Sequence, residues 1–100
     1  MSHLSYTYNA RQNLGEIAEF WRDVPEVGTR AIKEIKLYAK KLKPLPLLGK
    51  PCPDDNGASR LLTVRFGSSG YVIRYRYDQP KDTVFVLAIK NFRQANFNEN

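Results

Sequence analysis

One hundred residues, 42% hydrophobic and 26% charged, suffice for one compact unit around one core, which excludes a multidomain enzyme and wholesale disorder. The formal charge of +6 favours an acidic partner: nucleic acid, an acidic protein segment or an anionic surface. A single cysteine, Cys52, and a single histidine, His3, exclude an internal disulfide framework and an ordinary zinc site, and neither a metal nor a cofactor is expected.

The chain opens with Leu4, Tyr6 and Tyr8 alternating with Ser5 and Thr7, the period of a short half-buried strand. This start lacks the apolar core of a secretory signal, and no apolar run approaches the roughly 20 residues of a bilayer span, so a soluble cytoplasmic protein is expected. Asn9 and Gln12 read as a helix N-cap with its capping-box partner, and Leu14, Ile17, Ala18 and Trp21 follow at helical spacing. Asp23-Val24-Pro25-Glu26 repeats the start signal: an acidic cap, a proline tolerated in the first turn and a glutamate behind it. Val27, Ala31, Ile35, Tyr38 and Leu42 form the stripe of the second helix, which Pro44 and Pro46 end. Phe20, Trp21 and Tyr38 read as core residues. The two helices should form an antiparallel hairpin.

Residues 44–59 hold four of the six prolines and show no period, as a stiff connector would. Leu62, Val64 and Phe66 then alternate with Leu61, Thr63 and Arg65. After a turn at Gly67-Ser68-Ser69-Gly70, Tyr71, Ile73, Tyr75 and Tyr77 alternate with Val72, Arg74 and Arg76. The pair is a β-hairpin with one apolar face and one lined with arginines. Asp78 to Asp82 turns the chain again, and Thr83 to Ile89 is apolar on both faces, as a strand in mid-sheet should be. The predicted class is α+β, β-α-α-β-β-β, over a single domain of residues 1–100. A helical hairpin packs on one face of a small, mainly antiparallel sheet.

Positive charge is concentrated in the second helix and the chain after it, where Arg30, Lys33, Lys36, Lys40, Lys41, Lys43 and Lys50 face Glu34 alone. Arg65, Arg74 and Arg76 share a strand parity and should line the sheet face away from Tyr71, Ile73 and Tyr75. Such a row suits a carboxylate-rich peptide or a phosphate, unless Asp78 or Asp82 neutralises it. Lys90 and Arg93 close the sheet's C-terminal end beside Phe92 and Phe97. Gly67-Ser68-Ser69-Gly70 joins two strands and opens no helix, so it lacks the dipole that would hold a nucleotide. Cys52 between Pro51 and Pro53, with no histidine nearby, reads as inert, and His3 as solvated.

The order of elements, the basic character and the string Gly70-Tyr71-Val72-Ile73-Arg74-Tyr75-Arg76-Tyr77 with Val84-Phe85-Val86-Leu87-Ala88-Ile89-Lys90 resemble the RelE/ParE superfamily of type II toxin–antitoxin toxins. The ending Lys90-Asn91-Phe92-Arg93-Gln94-Ala95-Asn96-Phe97 is similar to that of ParE-like sequences. The resemblance implies one of two activities. RelE-like members are ribonucleases that cut mRNA in the ribosomal A site, whereas ParE-like members bind DNA gyrase and stall it on cleaved DNA. The resemblance also implies neutralisation by a cognate acidic, ParD-like antitoxin.

Attack by a ribose 2′-hydroxyl needs a base, cations that hold the phosphate, and an acid for the leaving oxygen. Nuclease members are expected to supply two basic residues before the glycine turn, an arginine after the Gly-Tyr pair, an arginine past the last strand, and a terminal tyrosine or histidine. Here the corresponding positions hold Thr63 and Arg65, then Val72, then Phe92 with Arg93 one step on, and Phe97 or Asn98. The set is incomplete. The expectation is therefore a ParE-like gyrase inhibitor that acts by protein–protein binding through Arg65, Arg74, Arg76, Lys90, Phe92, Arg93 and Phe97. The alternative is a ribosome-dependent mRNA endoribonuclease using Arg65, Arg74 and Arg93. A basic nucleic-acid-binding domain resting on the Arg30–Lys43 face is the third reading.

Overall fold

The computed structural model describes residues 1–93. Strand β1 (His3–Tyr6) leads into α1 (Tyr8–Phe20) and α2 (Pro25–Lys40). A two-residue strand β2 (Lys50–Pro51), a 3-10 turn (Pro53–Asp55), β3 (Arg60–Phe66), β4 (Ser69–Asp78) and β5 (Thr83–Asn91) complete the chain. The sheet order is β1-β5-β4-β3-β2, with β1 parallel to β5 and every other pair antiparallel. Both helices lie on one face, as expected. No helix among the described residues is long and apolar enough to cross a membrane.

The first strand is shorter than its alternation suggests. Thr7 donates its N–H to the Val86 carbonyl as the last extended residue, and its Oγ1 accepts the Ala10 N–H at 3.2 Å, so Thr7, not Asn9, caps α1. Tyr8 thereby falls in the first helical turn and stays exposed. Asn9 donates its side-chain amide to the Leu87 carbonyl at 3.0 Å, and Asn13 accepts the Ile89 N–H at 2.9 Å. Polar side chains of α1 therefore stitch the helix to β5, and an alternation of tyrosines could not reveal that.

In α1 the buried residues are Ala10 and Ile17, with Leu14 and Trp21 partly covered, while Ala18 faces solvent. Phe20, expected in the core, is 70% exposed. It is the last residue of α1 and directly precedes the turn between the helices. Helix α2 begins at Val24 without any side-chain cap, and Pro25 takes its first position. It buries Gly28, Ala31, Ile35 and Ala39, a small-residue seam that lets it lie close to α1 and the sheet. At Gly28 the approach is close: a Cβ there would meet the Trp21 Cβ at 3.0 Å.

The core joins Ile35 and Leu42 to Val64, Ile73, Tyr75, Val84 and Val86 from three adjacent strands, all fully buried. Each such aliphatic side chain contributes roughly 1.5–3 kcal/mol by leaving water. The β3–β4 connection is tighter than the four-residue turn expected: only Gly67 and Ser68 lie between the strands. Gly67 takes φ +61° at the first loop position, where a type II′ turn requires glycine.

The proline-rich connector is more ordered than its composition implies. Its β2 residues pair with Arg60 and Leu61, and the following turn folds over the outer face of the sheet. There Cys52 is fully buried against Ala88, with Leu61 and Val72 packed around them, a second small core opposite the helices. At the other end of the sheet, Ser2 and Tyr77 both donate hydroxyl hydrogen bonds of 2.8 Å to the Asp82 carboxylate. Those bonds, Tyr77's first, hold the Asp82 carboxyl below its ordinary range.

Candidate functional site

The outer sheet face carries the arginine row where strand parity places it, but its members differ in what they touch. Arg74 donates from Nε to Ser59 Oγ at 2.9 Å and from Nη2 to Asp55 Oδ2 at 3.0 Å. Ser59 also donates its hydroxyl to Asp55 at 2.6 Å and its backbone N–H to the same carboxylate at 3.3 Å. These bonds, the Ser59 hydroxyl first and Arg74 after it, lower the Asp55 pKa to about 2. Arg74 therefore clamps the connector to the sheet. Arg76 lies 3.6 Å from Asp78 and 5.1 Å from the Phe85 ring centroid, so the neutralisation by Asp78 anticipated from sequence occurs here.

Arg65 is exposed at the far end of β3, opposite Gly70. Phe92 donates its N–H to the Gly70 carbonyl at 3.0 Å, and its ring covers the space a side chain at 70 would need, 2.8 Å from an ideal Cβ. Lys90 pairs in register with Val72 on the same face. Arg65, Lys90 and Phe92 thus share one corner of the sheet, two cations beside an aromatic ring. Arg93 is on the other side: it lines a groove with Phe20, Trp21, Phe66 and Tyr71, beneath the helices. Arg65, Arg74 and Arg93 are consequently not gathered around one cavity. Phe97 lies outside the described residues.

Sequence reasoning missed the two grooves at the ends of the helical hairpin. At the end where α1 starts and α2 finishes, Leu4, Tyr6 and Leu14 form the floor of a space of about 470 Å³ walled by Arg11, Lys36 and Lys40. Burial pushes the Tyr6 hydroxyl pKa up, so it remains a protonated donor there. This groove runs beside β1, an edge strand of the sheet. His3 and Thr7 donate their N–H groups toward β5, which turns the backbone of Leu4 and Tyr6 to the outer edge, where the Tyr6 carbonyl accepts a hydrogen bond from the Arg11 guanidinium at 3.3 Å. Lys36 and Lys40 were legible as part of the basic run, but their convergence with Arg11 depends on how α1 and α2 cross.

At the opposite end, Phe20 and Trp21 stack edge-to-face at 5.0 Å, and the Trp21 indole N–H donates to the Tyr71 hydroxyl at 3.1 Å. Tyr71 and Phe66 lie 6.2 Å apart, and the Arg30 guanidinium sits 5.7 Å from the Phe66 ring centroid. The groove these rings border measures about 380 Å³. Among the described residues no cluster of three or more His, Cys, Asp or Glu is placed to hold a metal ion.

Known proteins share this architecture. A chain of the chromosomal ParDE TA system from P. aeruginosa superposes with a TM-score of 0.73 at 22% identity, over 91% of this chain and 96% of that one. The toxin–antitoxin complex RelBE2 from Mycobacterium tuberculosis gives 0.65 at 24% identity over 90% and 96%, and the isolated RelE toxin of E. coli 0.58 at 20% over 91% and 84%. These likenesses show the fold. No curated protein sequence matches the chain. Residues 4–95, nearly the full length, match the family described as the ParE toxin of the type II toxin-antitoxin system parDE, and the chain belongs to that family.

Proposed function

We propose that this toxin inhibits DNA gyrase by protein–protein contact, breaks no bond itself, and is neutralised by an acidic antitoxin. The observation that carries the reading is the division of the cations a nuclease would need. Arg74 is engaged by Asp55 and Ser59, Arg93 faces the helix side, and Val72 stands where a phosphate-holding arginine would be required. Cations stabilise a developing phosphorane only when they converge on it. A surface that mixes cationic and aromatic side chains without converging them instead suits binding.

The antitoxin half of the proposal is supported by the groove of Arg11, Lys36 and Lys40 beside the outer β1 edge. An acidic segment can lay an apolar face on Leu4, Tyr6 and Leu14 while its carboxylates meet the three cations, and an extended stretch can add to the edge. Ordering such a segment costs entropy, which the apolar contact and the charge pairing offset.

The test is purified toxin added to gyrase and relaxed plasmid, beside a translation reaction with full-length mRNA. Blocked supercoiling or trapped cleaved DNA, with intact mRNA, is the expected result. Normal supercoiling together with truncated mRNA would replace the reading with a ribosome-dependent nuclease.

A further inference from the structure

We propose that the aromatic groove at the α1–α2 turn is the surface that docks the target protein, and that it takes an aliphatic or aromatic side chain flanked by carboxylates. The identity of the target rests on the gyrase reading above; the location of the docking surface comes from the groove itself.

Phe20 leaves 70% of its surface in water; among the described aromatic residues only Tyr8 and Phe92 are also exposed. It is not isolated. Trp21, Tyr71 and Phe66 continue it as a chain of rings whose positions are fixed by the Trp21–Tyr71 hydrogen bond and by Gly28, which lets α2 press against Trp21. Gly67, Ser68 and Ser69, all small residues, bound the mouth among the described residues. A rigid, water-accessible cluster of Trp, Tyr and Phe with arginines at its rim is the composition of an interface centre.

The charge at the rim selects the occupant. Arg93 lines the groove and Arg30 sits over Phe66, so a partner bearing carboxylates is complementary. A nucleic-acid strand is disfavoured, because Phe20 and Trp21 stand at 90° to one another and so do not present the parallel faces on which successive bases stack. The basic groove of Arg11, Lys36 and Lys40 is at the other end of the same hairpin. Target docking and antitoxin binding are thereby assigned to separate surfaces.

Trp21 is the sole tryptophan, so 5-fluorotryptophan incorporation gives one ¹⁹F resonance inside the groove. Gyrase added to labelled toxin should shift or broaden that resonance. Phe20→Ala and Arg93→Glu, both at exposed positions, should each raise the toxin concentration for half-inhibition of supercoiling about tenfold or more. Their affinity for the cognate antitoxin should change less than about twofold and Tm should hold, as expected of exposed positions away from that contact. If wild-type toxin inhibits gyrase while both variants inhibit equally well and the resonance stays put, the groove is not the docking surface and the gyrase reading survives. If wild-type toxin leaves gyrase unaffected, the gyrase reading falls and this target with it. A (dT)₁₀ oligonucleotide that moves the resonance where gyrase does not would overturn the proposal in favour of nucleic acid.

Discussion

The fully buried Tyr75 hydroxyl accepts the Gly49 N–H at 2.8 Å, and no side chain fits at residue 49, since a Cβ would stand 2.7 Å from the Leu61 carbonyl oxygen and 2.8 Å from the Tyr75 ring. This contact anchors the start of β2 to the centre of the sheet. Tyr75→Phe keeps the ring but strands a buried N–H, and should destabilise the protein by about 1–3 kcal/mol in urea unfolding. Gly49→Ala should cost more than Tyr75→Phe, because it forces backbone apart. An unchanged midpoint for both would mean that the connector contributes nothing to global stability.

The Asp55–Ser59–Arg74 cluster makes stability depend on acid in a defined direction. Asp55 titrates at about 2 in the folded chain against an ordinary 3.8, so the folded state binds this proton more weakly than the unfolded one. The contribution is complete above about pH 4 and is lost as pH falls from there toward 2. Asp55→Asn should lower Tm at neutral pH, and the gap to wild type should narrow through that window in a thermal melt series.

Arg74 and Arg65 should separate structure from function. Arg74→Ala, which leaves the Asp55 carboxylate and Ser59 short of a donor, should lower Tm by roughly 5 °C. Arg65→Ala, at an exposed position, should change stability by less than about 0.5 kcal/mol, so any loss of toxicity it causes reports on binding. Thermal melts beside a growth assay distinguish the two.

At the basic groove, Lys36→Glu with Lys40→Glu should weaken antitoxin binding at least tenfold, roughly 1.4 kcal/mol, with a smaller dependence on salt than the wild-type complex. Isothermal titration at two salt concentrations measures both. Retained affinity would move the antitoxin elsewhere on the toxin.

Thr7→Ala removes the α1 cap and should cost about 1 kcal/mol, whereas Asn9→Ala should not behave as a cap mutation. That contrast also shows where reading the sequence stops. Strand parity placed Arg65, Arg74 and Arg76 on one face, and helical spacing placed Ile17, Ala31 and Ile35 in the core, because both depend on local geometry that the chain itself sets. The cap moved by two residues because Thr7 is held by β5, a strand 80 positions away. The connector's β2 strand and Cys52 core were invisible for the same reason: proline content reports stiffness, not what the stiff segment lies against. Both hairpin grooves arise where α1 and α2 cross over the sheet, and no single segment encodes that angle.

The pairing of β1 with β5 joins Leu4 to Val84, so the first strand made finds its neighbour only when the last one exists. Without residues 83–91, β1 has no strand to pair with, because β5 lies between it and β4. The step that completes the sheet is accordingly a contact between the two ends of the fold, whose loop-closure cost is met only by pairing across about 80 residues.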